Sequence, residues 1–130
     1  MIKKLEYHKE VFAINDLEND DLSSLKGTKS SWVQFLVTAL ENENFAIYVK
    51  YDEDEILNYL VCIVNINPPL GSSIIIMHIA NDIFLSDLLE CVDDLRAKKG
   101  AMEVLIETTD EEKMKQYSFA KIAIVMKREI

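Results

Sequence analysis

Residues 73–100 constrain the fold more than any other stretch, because they combine an apolar run, a short polar turn and an amphipathic segment. The apolar run predicts a buried strand, and the stripe of leucine and valine after it predicts a helix ending at Gly100. In α/β proteins the turn from a strand into a helix is where anionic ligands usually bind. This turn contains no glycine and is flanked by Asp82 and Asp87, so its residues argue against the ligand that its position suggests.

Length and composition predict one soluble domain. The 130 residues suit a single compact unit, and we expect residues 1–130 to form it. A hydrophobic content of 49% and a charged content of 28% are ordinary for a globular protein. No apolar stretch is long enough to span a bilayer, and the charged start of the chain does not resemble a signal peptide. We therefore expect a cytoplasmic protein with no membrane-bound segment.

Charge and cysteine usage exclude several function classes. The formal net charge is −9, and the basic residues form only small clusters, which argues against a nucleic-acid partner. An acidic surface is compatible with a small amine substrate, although solubility alone is the simpler explanation. Cys62 and Cys91 lie in an apolar strand and a helix without metal-ligand spacing. We therefore expect reduced thiols and no metal site.

Hydrophobic periodicity predicts the remaining elements. Residues 2–7 are compatible with a first strand and residues 8–17 with a helix; a clearer helix spans 31–42, with Ser31 and Gln34 as a capping box. A second capping box, Thr109 with Glu112, introduces a short helix at about 110–117. The other predicted elements are strands at 45–51, 56–66, 72–80, 102–107 and 122–127, and a helix at about 83–99.

The resulting order is β-α-α-β-β-β-α-β-α-β, an antiparallel meander joined to a strand–helix–strand crossover. It predicts an α/β (α+β) domain with a mixed central sheet, in which strands 72–80 and 102–107 are parallel. Simple alternation places Ile74, Ile76 and His78 on one face of the first of these strands.

This order resembles the GNAT acyltransferase superfamily over nearly the whole chain. Residues 86–100 resemble the helix after the family's pyrophosphate loop, residues 104–106 the next strand, and residues 117–122 the closing leucine-glycine-phenylalanine motif. The resemblance implies a GNAT-like fold that binds acetyl-CoA between two splayed strands, 72–80 and 102–107. Cofactor-binding positions would then be Ile79, Asn81 and Ser86.

The sequence departs from the family pattern at the turn of residues 80–85. None of the three glycines lies there, and Leu85 occupies the place of the last loop glycine. Asp82 is placed to cap the helix and so to use amides that a phosphate would need. Met114 occupies the place of the family's tyrosine acid, and Ser118 that of the closing motif's glycine.

These departures favour a GNAT-like protein whose acyl-CoA site is eroded and which acts as a non-catalytic binding or interaction module. The alternative is an active N-acetyltransferase that uses acetyl-CoA or CoA chemistry on a small amine or a protein amine. Amine attack on a thioester needs a base and an acid, and the candidates are His78, Glu107 and Tyr117. Each also has a structural explanation, as a core histidine, a solvated strand end and a packing tyrosine. A third hypothesis is a homodimeric structural protein that uses the sheet edge or the last strand.

Overall fold

The computed structural model describes residues 1–23, 25, 27–67, 71–108 and 110–120, which form a mixed sheet with helices on both faces. The predicted element order is confirmed within these residues; the last predicted strand, 122–127, lies outside them. The elements are β1 (Ile2–Lys4), α1 (His8–Val11), a 3₁₀ helix (Phe12–Asp16), α2 (Lys29–Ala39), β2 (Phe45–Asp52), β3 (Glu55–Asn67), β4 (Gly71–Ile79), α3 (Leu85–Lys99), β5 (Glu103–Ile106) and α4 (Glu111–Lys115).

The described strands lie in the order β1-β2-β3-β4-β5. β1, β2, β3 and β4 pair antiparallel with their neighbours, and β5 pairs parallel to β4 after the crossover through α3. Both pairings on which the resemblance depends, β1 beside β2 and β5 parallel to β4, are therefore confirmed. β3 is the central strand, which explains why it is apolar on both faces.

Each face of the sheet buries its own core. The first core lies under α1 and α2, and the second lies under α3. Within the described part of the chain, no helix is long and apolar enough to cross a membrane. The first core includes Leu5, Val11, Ile14, Trp32, Val33, Leu36, Ile47, Val49, Tyr59 and Val61. The second core includes Ala46, Leu60, Cys62, Val64, Ile74, Ile76, Leu85, Leu88, Val92 and Leu95.

A β-bulge interrupts the pairing of β3 with β4. Val61 lies opposite His78 and the next residue, Cys62, lies opposite Ile76, so Met77 is the extra residue on β4. An inserted residue reverses the side-chain alternation beyond it, because successive residues of a strand point to opposite faces.

The bulge moves His78 to the other side of the sheet from Ile74 and Ile76. The two isoleucines lie in the second core, whereas the His78 ring contacts Trp32 and Tyr59 of the first core. The prediction that the three residues share one face is therefore wrong, since it assumed an uninterrupted period of two residues.

The caps of two helices also differ from the sequence prediction. α2 begins at Lys29, and the Thr28 side chain accepts a hydrogen bond of 3.1 Å from the Ser31 amide, so Thr28 is the cap. At α4 the cap is Asp110, whose carboxylate accepts from the Lys113 amide at 3.1 Å, whereas predicted Thr109 lies outside the described residues. At the end of α3, Gly100 has a φ of 67°, as predicted for a left-handed cap.

Candidate functional site

The parallel pairing of β4 with β5 ends before β4 does. It runs from Ser73 and Glu103 to Ile76 and Ile106, where β5 ends. β4 continues to Ile79, and the bulge at Met77 directly follows the last paired residue. Ligands of open α/β sheets bind outside the carboxyl ends of parallel strands, and bulges often lie beside such sites. The end of β4 (residues 77–81) and the turn into α3 are therefore the candidate site.

One buried side chain on β3 fixes the turn after β4. Asn58 Nδ2 donates to the carbonyl oxygens of Asn81 at 2.9 Å and Ile83 at 2.8 Å. Its Oδ1 accepts from the amides of Tyr59 at 2.8 Å and Asn81 at 3.1 Å. Asn58 has no exposed surface, and every part of its amide group has a partner. Asn58 was not among the predicted site residues, although an amide side chain between apolar residues of a strand is a recognisable signal.

Asn81 ties the same turn to its surroundings. Its Nδ2 donates to the carbonyl oxygens of Leu57 at 3.0 Å and Asn19 at 2.8 Å, and its Oδ1 accepts from the Ile83 amide at 2.8 Å. Further along the turn, the Leu85 amide donates to the Asp82 carbonyl at 3.2 Å. The amides of Asn81, Ile83 and Leu85 thus all donate to acceptors of the protein itself.

The start of α3 is formed without a capping side chain from the described residues. The residue at the cap position is Phe84, whose φ of 52° is in the left-handed region, and its ring lies 4.5 Å from Lys50 Nζ. The predicted cap, Asp82, is wrong: its Oδ1 lies 2.6 Å from Nζ of Lys113. The Asp82 side chain therefore joins the turn to α4 and leaves the helix start uncapped.

Beneath the end of β4, His78 belongs to a buried polar cluster. His78 Nε2 lies 2.8 Å from Oδ1 of Asp20, and their side chains are 2% and 1% exposed. The Tyr59 hydroxyl donates to Oδ2 of Asp20 at 2.6 Å and accepts from Trp32 Nε1 at 2.9 Å. Burial, followed by the hydrogen bond to Asp20, raises the pKa of Tyr59 well above its usual value. Sequence spacing did not indicate Asp20, because 58 positions separate it from His78 in the chain.

A shallow groove lies between α3 and the segment after α4. Its volume is about 270 Å³, and Ser86 and Tyr117 both line it. The carboxylates of Glu90 and Asp93 also face it. The remaining lining residues are Leu89, Gln116 and Ser118.

The structure brings together only some of the predicted site residues. His78 faces the first core, Tyr117 packs against the second core, and Glu107 is exposed just after β5. His78 and Tyr117 are therefore separated by the sheet. The roles proposed for these three residues remain predictions.

Of the predicted cofactor-binding residues, Ile79 is half-buried on β4 and packs against the second core. Asn81 lies in the turn, and Ser86 lies in the first turn of α3. The three follow one another along the β4–α3 connection, and their cofactor contacts remain predictions.

Two positions singled out in the closing segment have distinct environments. Met114, in the place of the family's acid, is 6% exposed and packs inside the domain. Ser118, in the place of a motif glycine, has a φ of 69°. A left-handed φ is the conformation that glycine adopts without strain, so the backbone at this position has the shape that a glycine would favour.

The fold matches solved structures of acetyltransferases. An aminoglycoside acetyltransferase from an uncultured soil metagenomic sample, in complex with sisomicin, matches with a TM-score of 0.75 and 15% identity, over 100% of this chain and 95% of its own. AAC(6')-Iy, in complex with the bisubstrate analogue CoA-S-monomethyl-acetylneamine, matches with a TM-score of 0.74 and 12% identity, over 100% and 97%. Ribosomal-protein-alanine N-acetyltransferase from Brucella melitensis biovar Abortus 2308 matches with a TM-score of 0.73 and 10% identity, over 99% of each chain.

By sequence, no protein-family model matches the chain, and no curated protein does. The likeness therefore lies in the arrangement of the backbone, which agrees over nearly the full length of both partners. Strand order, the parallel β4–β5 pair and the α3 crossover all fit that arrangement. The chain has the fold of the GNAT acetyltransferases.

Proposed function

We propose that this protein is a non-catalytic binding or interaction module with the GNAT fold, in which the acyl-CoA site is eroded. The observation that carries the proposal is the hydrogen bonding of the turn between β4 and α3. A pyrophosphate at such a turn is held by free backbone amides that point at it. Here the amides of Asn81, Ile83 and Leu85 donate to oxygens of the protein.

Freeing these amides would break the contacts that shape the turn. The Asn81 amide donates to Asn58, whose side chain is completely buried. Leaving a buried amide group without its partner costs roughly 1–3 kcal/mol. A phosphate would have to offset that cost before it contributed any net affinity.

Charge around the turn and the groove also favours an eroded site. Asp82 lies in the turn, and Glu90 and Asp93 line the groove beside α3. Carboxylates at these places repel the phosphates of CoA. The side chain of Lys113 is a cation at this end of the molecule. It is paired with the carboxylate of Asp82, and this contact does not direct it towards the groove.

The groups available for proton transfer are few. Met114 has no proton to donate, and His78 is enclosed with Asp20 away from solvent. Of the candidate residues, only Glu107 and Tyr117 remain accessible or half-buried. A base must reach the amine that it deprotonates, so the buried imidazole is poorly placed for that role in this conformation.

One observation favours the alternative, an active acetyl-CoA-dependent N-acetyltransferase of a small amine or a protein amine. The pairing of β4 with β5 ends at Ile76 and Ile106 while β4 continues to Ile79, so an acyl-CoA arm placed beside the last residues of β4 would not have to displace a paired strand. The groove lined by Ser86 and Tyr117 lies along α3, beside the turn that joins β4 to α3. In this alternative Ile79, Asn81 and Ser86 would contact the cofactor, and Glu107 or Tyr117 would transfer the proton.

Titration with acetyl-CoA and with CoA separates the two functions. We expect no heat of binding in calorimetry and no shift of the unfolding temperature at millimolar ligand, because binding to the folded state would raise its stability by mass action. Inorganic pyrophosphate serves as the control for nonspecific anion binding. A micromolar dissociation constant for acetyl-CoA, with none for pyrophosphate, would contradict the eroded site.

An activity assay tests the alternative directly. Thiol release from acetyl-CoA is followed with spermidine or a lysine-containing peptide as the acceptor. We expect no release above that of the solution without protein. Protein-dependent release that is lost in Tyr117→Phe and kept in Tyr48→Phe, a matched hydroxyl deletion outside the groove, would establish the enzyme instead. Sedimentation of the same samples tests the third hypothesis, a homodimer.

A further inference from the structure

Three consecutive residues, Asn19, Asp20 and Asp21, cross the end of β4 and are called the strap here. The Asp21 amide donates to the Ala80 carbonyl at 2.8 Å. On its other side, Asn81 Nδ2 donates to the Asn19 carbonyl at 2.8 Å. The strap is therefore attached to the two residues that follow β4.

The middle residue of the strap carries a buried carboxylate. Both oxygens of Asp20 are engaged, one with Nε2 of His78 at 2.8 Å and the other with the hydroxyl of Tyr59 at 2.6 Å. Trp32 completes the cluster by donating to that hydroxyl at 2.9 Å. The Asp20 side chain is only 1% exposed, and these hydrogen-bond partners replace the hydration that its carboxylate lost on burial.

The strap has little else to hold it in place. It contains no apolar side chain and belongs to no helix or strand. Its neighbours Leu17 and Leu22, in contrast, pack against the first core and anchor both sides. Segments with few apolar contacts open locally at a free energy well below that of global unfolding.

We propose that the strap is a cover that opens as a unit, that the Asp20 carboxylate holds it closed, and that opening exposes the imidazole of His78 at the end of β4. Closure and opening depend on contacts of the strap with β3, with β4 and with the two residues that follow β4. The proposal therefore holds whether or not acyl-CoA binds. It gives His78 two environments, one enclosed and one accessible to a ligand at the candidate site.

The two histidines of the chain provide a direct test with diethyl pyrocarbonate, which modifies accessible imidazole. His8, whose side chain is 50% exposed, is the internal reference. In the wild-type protein we expect rapid modification of His8 and slow modification of His78. Asp20→Asn keeps the size of the side chain but removes its charge, and we expect it to speed modification of His78 about tenfold or more without changing His8. An unchanged His78 rate would overturn the proposal.

Amide hydrogen exchange distinguishes opening of the strap from loss of stability throughout the domain. The Asp21 amide reports on the strap, and the Ala80 amide, which donates to Tyr59 at 3.1 Å, reports on the β3–β4 pairing. In Asp20→Asn we expect about tenfold faster exchange at Asp21 and no change at Ala80. Equal acceleration of both amides would overturn the proposal, because the strap would then open only with the sheet.

Two further variants complete the test. Tyr59→Phe removes one hydrogen-bond partner of the Asp20 carboxylate while keeping the aromatic ring. It replaces Asp20→Asn if that variant does not fold. We expect the same faster modification of His78 and the same faster exchange at the Asp21 amide. Glu10→Gln is the matched control, since it removes a carboxylate paired with Lys3 at 2.6 Å, outside the strap. If Glu10→Gln accelerated the modification of His78 to the same degree, the proposal that the Asp20 carboxylate holds the strap closed would be overturned.

Discussion

The two cysteines have the same chemistry but different surroundings. Both are free thiols, as expected from the sequence. Cys62 is completely buried in the second core, and this burial raises its pKa to about 12. Cys91, on α3, is half-buried, and burial, followed by the charge of Asp94, raises its pKa. Burial therefore suppresses the thiolate, which is the reactive form, at both cysteines, and Cys62 is the more deeply buried of the two.

Cys62 is expected to make stability fall at high pH. Its thiol has a pKa of 9.0 when unperturbed and about 12 in the fold, so the unfolded state ionises first. The contribution to stability is complete below pH 9 and is lost as the pH rises through about 12. Urea unfolding between pH 8 and 11 should show a shallower decline for Cys62→Ala than for the matched Cys91→Ala. An identical decline in both variants would contradict the assignment.

At the scale of elements, the β2–β3 hairpin depends on a strained turn. Asp52 pairs with Glu55, so Glu53 and Asp54 form the two-residue loop. Glu53 has a φ of 54°, a region that an L residue other than glycine occupies at a cost. The four successive carboxylates of residues 52–55 are typical of a solvated turn, but their pattern does not indicate which of them is strained.

Glu53→Gly is expected to stabilise the protein by about 1 kcal/mol, because glycine adopts the left-handed conformation without a Cβ clash. The control is Asp54→Gly in the same loop, where no positive φ is relieved and the added flexibility of the unfolded chain should lower stability. Chemical denaturation measures both variants. Stabilisation of the two by the same amount would point to removal of negative charge instead of backbone strain.

At the scale of the whole molecule, two cores share one sheet under a strongly acidic surface. There are 23 acidic and 14 basic residues, and the described ion pairs with lysine involve only a few of them. Like charges at this density repel one another and oppose the compact state. The cores, and not surface ion pairs, therefore supply the stability of the fold.

Raising the salt concentration from about 10 mM to about 100 mM should raise the unfolding free energy, since the screening length falls from about 30 Å to about 10 Å. Thermal unfolding in sodium chloride, potassium chloride and tetramethylammonium chloride measures the effect. Similar increases in the three salts are expected if screening is the cause. A decrease would show that favourable ion pairs outweigh the repulsion.

Much of the architecture could be predicted from the sequence. The β4–α3–β5 crossover, the antiparallel meander and the glycine end of α3 follow from periodicity and from Gly100. The absence of glycine from the turn of residues 80–85 was also visible in the sequence. These features depend on residues close together in the chain, whose spacing fixes which side they present to a core.

The sequence by itself therefore determined the order of the elements and the composition of the turn, because both are local. The bulge at Met77, the Asn58 contacts to the turn and the pairing of Asp20 with His78 were decided only by the tertiary structure. The last of these joins residues 58 positions apart. Such contacts depend on how β3, β4 and the strap meet in space, and the free energy of burying polar groups selects the one arrangement that satisfies them.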